Sequence, residues 1–384
     1  MERIYFDHAA SSPLHPDVAD AMMAIYRGTF GNASSTHGIG RAAKALLGRS
    51  RERIAAAIGC APNELYFTSG GTESDNAAIA GVARAMHRQG KAHIITSSVE
   101  HHAVLRTCEA LRKDGFELTV LSVDAFGQVS PADVEMAIRP DTALISVMYA
   151  NNETGTIQPI EAIGAIARER GIPFHVDAVQ ALGSIPIDLK TLPVDLMSFS
   201  AHKINGPQGI GALYIAKHIP FEPLLFGGSQ ERKRRAGTEN LAGAAGFAKA
   251  AELAVNSLTE KKLFLDKLRL NWIERMKDAY GADRIAVNGH PSETLSHIAN
   301  LSFIGSDTET LLMNFDLAGI AVSGGSACTA GAIEPSHVLI AMELAEPRLT
   351  SAVRFSFGLG NTLEELERAH EKIATFLNRV RTNA

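Results

Sequence analysis

Between Glu64 and Ala216 the sequence alternates two hydrophobic periods, and this alternation restricts the possible folds more than any other feature. The runs ELYFT (64–68), HIITS (93–97), FELTVLSV (116–123), TALISVMYA (142–150), IPFHVDA (172–178), DLMSFSA (195–201) and IGALYIA (210–216) are short, apolar and rich in β-formers. Among them lie amphipathic stretches such as ESDNAAIAGVARAMHR (73–88), HAVLRTCEALRKDG (102–115) and PIEAIGAIARERG (159–171). Strands that are apolar on both faces must be covered on both faces, so the pattern predicts an α/β fold built on a mostly parallel sheet. Ligands of such sheets bind outside the carboxyl ends of the strands, which directs attention to the residues following each run.

After GGSQERKRRAGTEN (227–240) the pattern changes. Two helical stretches, LAGAAGFAKAAELAV (241–255) and TEKKLFLDKLRLNWIERMKDAYG (259–281), are followed by HIANLSFIG (297–305), TLLMNFDLAGIAVS (310–323), AVRFSFG (352–358) and a closing helix, EELERAHEKIATFLNRVR (364–381). A chain of 384 residues with 46% hydrophobic content is long enough for two cores. The expected division is a large domain over residues 13–257 and a smaller α+β domain formed by 1–12 with 258–384.

The net charge of −5 gives no reason to expect a nucleic-acid or membrane-surface partner. One basic cluster, Lys233 to Arg235, reads equally well as a solvated face or an anion site. No apolar run approaches the ~18 residues of a membrane span. MERIYFDHAA carries charges where a signal peptide would be apolar, so a cytoplasmic location is expected. Cys60, Cys108 and Cys328 have neither the number of a disulfide framework nor the spacing of a zinc site, and no metal centre is expected.

Three features then stand out at strand ends. SGGTES (69–74) opens a helix with glycines, a weak signal shared by ordinary tight turns and by anion cradles, with Thr72 as a side-chain donor. Asp177 ends an apolar strand, where a carboxylate is costly unless it meets a cation or fixed donors. Lys203 lies between an apolar strand and a Gly-Pro turn, where desolvation would lower its basicity and make it a nucleophile toward aldehydes. An amine, an acid and an anion cradle together meet the needs of pyridoxal phosphate: Schiff base, protonated pyridine nitrogen and bound phosphate. A fourth oddity is SGGSACTAG (323–331), which surrounds Cys328 with residues too small to bury a thiol.

YFDHAASSPLHP, FGNASSTHGIGR, FTSGGTESDN, EHHAVL, NNETGTIQP, HVDAVQ, SFSAHKINGPQGIGALY, RRAGTEN, SGGSACTAG and VRFSFG follow one another along nearly the whole chain. In this the sequence resembles the cysteine desulfurases of the NifS/IscS type, class V aminotransferase-like enzymes with the fold-type I pyridoxal 5'-phosphate architecture and a seven-stranded sheet. The resemblance implies that Lys203 is the Schiff-base lysine and Asp177 the partner of the pyridine nitrogen. His101 would stack on the ring and assist proton transfer, and Gln180 would bond its phenolate oxygen. Gly71, Thr72, Ser200 and His202 would hold the phosphate. Thr238 would reach the phosphate of a neighbouring subunit, implying a homodimer, and Asn152 and Arg354 would bind the substrate's α-carboxylate. His102 would point away from the site, since adjacent helical positions diverge by ~100°. Read alone, Asn152 fits a turn-former and Arg354 a strand-end ion-pair partner, while Cys60 and Cys108 fit structural thiols.

The implied reaction converts L-cysteine to L-alanine and leaves a persulfide on Cys328, carried on a loop of about 323–340. A sulfur-acceptor protein, a tRNA thiolase or an iron–sulfur scaffold, would then collect the sulfur. Details such as LLFGGSQERKRRAGTEN are similar to the Bacillus-type enzymes that feed tRNA 2-thiouridine synthesis. SACTA stands where SACTS is common and GPQG where GPKG is common, which bears on loop behaviour and acceptor choice alone. Rival readings are a selenocysteine lyase, another enzyme of the same cofactor class, or an idle sulfur-transfer scaffold; the last predicts loss of Lys203 or Cys328, and both are present.

Overall fold

A computed structural model describes residues 3–324 and 335–383. The strands, in chain order, are β1 (Ile4–Tyr5), β2 (Leu65–Thr68), β3 (His93–Ser97), β4 (Glu117–Leu121), β5 (Thr142–Ser146) and β6 (Phe174–Asp177). They continue as β7 (Leu196–Ser200), β8 (Gly211–Ile215), β9 (Ile285–Asn288), β10 (Ile298–Phe303), β11 (Ile320–Ala321) and β12 (Ala352–Ser356). The seven apolar runs of the sequence form one seven-stranded sheet in the order β2-β8-β7-β6-β5-β3-β4. All of its neighbours pair parallel except β8, which runs antiparallel to both β2 and β7. Every residue of β5, β6 and β7 is buried, as strands covered on two faces require.

Polar ladders run through this apolar sheet. The His175 ring bridges Ser146 Oγ at 2.8 Å and Ser198 Oγ at 2.9 Å, tying β5, β6 and β7 together. His93 does the same between Thr142 and Thr119 on β5 and β4. Burial pushes His175 down to about 3, so the ring is neutral and its two nitrogens serve as one donor and one acceptor.

A second core gathers Ile4 and Phe6 with residues of 265–377. Trp272 is its centre, edge-on to Phe6 and tilted against Phe355. Here β9, β10 and β12 form an antiparallel sheet and β1 pairs parallel with β11. The helices Leu241–Asn256 and Leu258–Tyr280 meet at Ser257, whose N–H bonds back to Leu253. Among the described residues no helix is long and apolar enough to cross a membrane.

One turn carries strain that a buried ion pair holds in place. Glu231, Arg232 and Lys233 adopt φ of 44°, 55° and 65°, a left-handed run without glycine, which costs about 1–2 kcal/mol per residue. Glu231 is nevertheless pinned, accepting from Arg51 Nη1 at 2.7 Å and Nη2 at 2.6 Å and from the Phe67 N–H at 2.9 Å. Arg51→Met should therefore strand a buried carboxylate and lower stability by about 3–5 kcal/mol, measured as a shift in the urea midpoint. Adding Glu231→Leu should recover part of the loss.

Candidate active site

The site is built around a lysine that the N-terminal segment holds by its backbone. β7 ends at Ser200 and one 3-10 turn, Ala201–Lys203, follows. Lys203 Nζ donates to the carbonyls of Ala9 at 2.5 Å and Ala10 at 2.8 Å, on the segment leaving β1. Ser12 Oγ closes the arrangement, donating to the His202 carbonyl at 2.6 Å and accepting the Asn205 N–H at 2.7 Å. Burial, helped by the charge of Arg354, pushes Lys203 down to about 8, against the opposing pull of Asp177 and Asp7.

Lys203 lines a cavity of about 310 Å³ at the carboxyl ends of β6 and β7, and most of the sequence-predicted residues converge on it. Asp177, the last residue of β6, accepts the Val179 N–H on Oδ1 at 2.9 Å. Burial raises its carboxyl, while the charges of His101 and Lys203 lower it. Gln180 Nε2 donates to Ala9 O at 2.9 Å, and its second amide hydrogen has no acceptor among the described residues, which suits it to a ligand. His101 caps the helix His102–Lys113, its Nδ1 accepting the Ala103 N–H at 3.1 Å. Burial lowers its basicity, and since Nδ1 accepts the Ala103 N–H, the neutral form of the ring carries its proton on Nε2.

His102 departs from expectation: it lines the same cavity, its ring 4.6 Å from that of His337. The divergence of adjacent helical positions does not apply, because His101 is an extended cap with ψ 148° and only His102 begins the helix.

At the anion end, the helix Gly71–His87 starts with no side-chain cap, leaving its first amides open. Gly71 is required by close approach, since a Cβ there would lie 2.7 Å from Val179 Cγ2. Gly71, Thr72, Ser200 and His202 all line this end. Burial pushes His202 down to about 4, so it offers a neutral ring, with Nδ1 3.2 Å from Ser11 Oγ. Glu73, in the first helical turn, accepts the Ser69 N–H at 2.8 Å and Arg235 Nε at 2.8 Å. The basic cluster is thus engaged within the chain at Arg235, and Arg234 stacks over Phe221 at 5.1 Å. Thr238 is exposed and does not line the cavity.

At the opposite end, Arg354 on β12 donates from Nη1 to the Asn152 carbonyl at 2.8 Å and from Nη2 to Asp7 at 2.8 Å. Asn152 lines the cavity, while its neighbour Asn151 shapes the NNETG turn by accepting the N–H groups of Glu153 and Thr154. Sequence reasoning passed over Asp75, Glu153 and His337, which also line the cavity. The Glu153 carboxylate accepts from Ser336 Oγ, and His337 Nε2 donates to the Glu100 carbonyl at 2.9 Å. Two of them sit in motifs the sequence already offered, Asp75 in TESDN and Glu153 in NNETG, and both carboxylates are buried. Cys328 lies outside the described residues. Cys60 and Cys108 have thiols pushed up to about 12 by burial, which makes them inert at neutral pH.

A buried amine of lowered basicity, a buried carboxylate and an uncapped helix start facing one cavity form a donor set that fits pyridoxal phosphate. The amine can be tested without any cofactor. Burial makes the neutral form of Lys203 accumulate as pH rises through about 8, below the 10.5 of an exposed lysine. Reductive labelling of the apoprotein with a small aldehyde and cyanoborohydride should therefore modify Lys203 with a midpoint near pH 8, located by peptide mapping. Lys261, also pushed down to about 8, lies in a separate cavity and is the internal control.

The aminotransferase class-V family model matches residues 4–369. A cysteine desulfurase IscS of Methanosarcina thermophila is 48% identical over 378 residues, 98% of this chain and 93% of that protein. Among solved structures, a NifS-like protein superposes with a TM-score of 0.92 at 36% identity, covering 98% of this chain and 100% of the other. SspA in complex with cysteine superposes with a TM-score of 0.81 at 36% identity, covering 92% and 98%. With its sheet order and its cavity in place, the chain belongs to the class-V aminotransferases, among the cysteine desulfurases of the IscS/NifS type.

Proposed function

We propose that this protein is a pyridoxal-phosphate-dependent cysteine desulfurase that converts L-cysteine to L-alanine and passes the sulfur onward as a persulfide. The observation that carries the reading is the shared cavity of Lys203, Asp177 and Arg354, which joins a nucleophilic amine, a buried acid and a carboxylate-binding fork. Support also comes from the relative named cysteine desulfurase and from the neighbour solved with cysteine.

In this cavity pyridoxal phosphate would supply an electron sink for bonds at the α-carbon of the amino acid. Gly71 and Thr72 at the helix start, with Ser200 and His202, would hold its phosphate, Asp177 and Gln180 would hold its ring, and His101 would pack against that ring. Arg354 and Asn152 orient the substrate's carboxylate. Lys203, whose neutral form gains as pH rises through about 8, takes the α-proton, and His101 stands by as a donor through Nε2. Cys328 as thiolate attacks the substrate sulfur: an S–S bond forms, the C–S bond breaks, and the carbon takes a proton to become the methyl group of alanine. The reaction is internally balanced and needs no outside oxidant.

The sulfur then goes to an acceptor protein, a tRNA thiolase or an iron–sulfur scaffold, and transfer of radiolabelled sulfur to both in competition decides between them. Thr238, exposed on one chain, would serve a second copy in a homodimer. Residues 1–12 and 258–384 would act as the smaller domain that carries Cys328, in a cytoplasmic enzyme.

Purified wild-type protein should show the absorbance band of lysine-bound cofactor and release alanine from L-cysteine in the presence of a thiol reductant. Lys203→Ala should lower turnover by several orders of magnitude, as loss of a central catalytic group does elsewhere. Cys328→Ala should keep the band but lose alanine production. A wild-type protein without the band, or Cys328→Ala turning over normally, contradicts the reading.

A further inference from the structure

The guanidinium at the carboxylate end of the cavity already holds an anion of its own. Arg354 is only 2% exposed. Its Nη2 donates to Asp7 Oδ1 and its Nη1 to the Asn152 carbonyl, both at 2.8 Å. Asp7 is fixed from two sides: its backbone bridges to Ser356 on β12, and the Tyr5 hydroxyl donates to its carbonyl at 3.0 Å. A buried guanidinium left without an anion is costly, so a pocket that waits for a carboxylate must keep its arginine paired meanwhile.

The same carboxylate acts on the lysine. Asp7 and Asp177 raise the basicity of Lys203 against burial and the charge of Arg354. The imidazoles whose fields also couple to this amine, His101, His202 and His297, are held toward the neutral form by burial. Among the described residues, Asp7, Asp177 and Arg354 are therefore the fixed charges that act on Lys203, while Asp75 and Glu153 line the same cavity.

We propose that Asp7 is the positioning residue of the carboxylate site, an internal carboxylate that holds Arg354 in the cavity until a ligand's carboxylate arrives and lends its charge to the Lys203 amine. The inference rests on the reading of Arg354 as the carboxylate-binding group. An incoming carboxylate has to share the guanidinium with Asp7, so Asp7 keeps the fork ordered at some cost in ligand affinity. Asp7→Asn retains an oxygen acceptor for Nη2 and removes only the charge.

The test titrates the lysine-linked chromophore of the holoenzyme by absorbance, with and without propionate, a carboxylate that lacks the reactive amine. Asp7→Asn should lower the chromophore's apparent pKa by at least ~0.5, about a threefold change in the proton equilibrium, and should bind propionate severalfold more tightly. Asp7→Glu, which restores the charge, should bring both values back toward wild type. Where Asp7→Asn does not fold, Asp7→Ser, another neutral oxygen acceptor, takes its place with the same expected directions. An unmoved pKa, or propionate binding that is unchanged or weaker in the neutral variant, would overturn the role of Asp7. Arg354→Gln is run alongside: if it still binds propionate like wild type, the carboxylate-site reading of the arginine fails, and if it loses binding that reading stands independently of Asp7.

Discussion

A lysine ammonium inside a protein has to find oxygen acceptors, and most of the local architecture follows from how Lys203 finds them. Its two acceptors are the carbonyls of Ala9 and Ala10, nearly two hundred residues away in sequence. The segment that offers them begins in the second core, where Ile4 and Phe6 are buried, and ends where Ser12 bonds the turn around Lys203. A stretch of about ten residues thus joins the two cores and closes the cavity in the same stroke. Gln180 uses the Ala9 carbonyl as well, so the acid side and the amine side of the cavity are referenced to one peptide.

Behind that frame lies a concentration of buried ionisable groups that burial alone would neutralise. Glu100 is pushed up to about 8 and Asp75 is raised by burial and by Asp177, while His175 is driven to about 3. Hydrogen bonds from Ser97 and the Met148 N–H keep Glu100 in place. Burial works in the same direction on Lys203, favouring the neutral amine that chemistry on an aldehyde or an α-proton requires. The cost of burying polarity is met locally by short bonds and neutral protonation states, and the reactive amine results from the same desolvation.

The fold was legible because its strands are buried on both faces: HIITS, TALIS and the strands ending at Asp177 and Ser200 carry continuous apolar runs, and the helices between them carry a different period. Antiparallel β8 was not legible, since IGALYIA reads the same in either direction. In the site, Lys203, Asp177 and Gly71 were readable from position at strand ends. His102 was misplaced because a helical rule was applied across a cap, and the turn-forming asparagine proved to be Asn151 rather than Asn152. Asp7, Glu153 and His337 escaped notice because each takes its meaning from a partner far along the chain.

By itself the amino-acid order determined the class of fold, the chemical identity of the reactive groups and the order of the motifs along the chain, because hydrophobic period and residue type are local properties. Only the tertiary structure decided which groups meet: that Arg354 is shared between Asp7 and Asn152, that Ala9 and Ala10 hold the lysine, and that His101 Nδ1 is taken by the Ala103 N–H. Those facts depend on burial and on distances between elements brought together by two separate cores, and electrostatic character in a protein is set by such surroundings rather than by sequence neighbours.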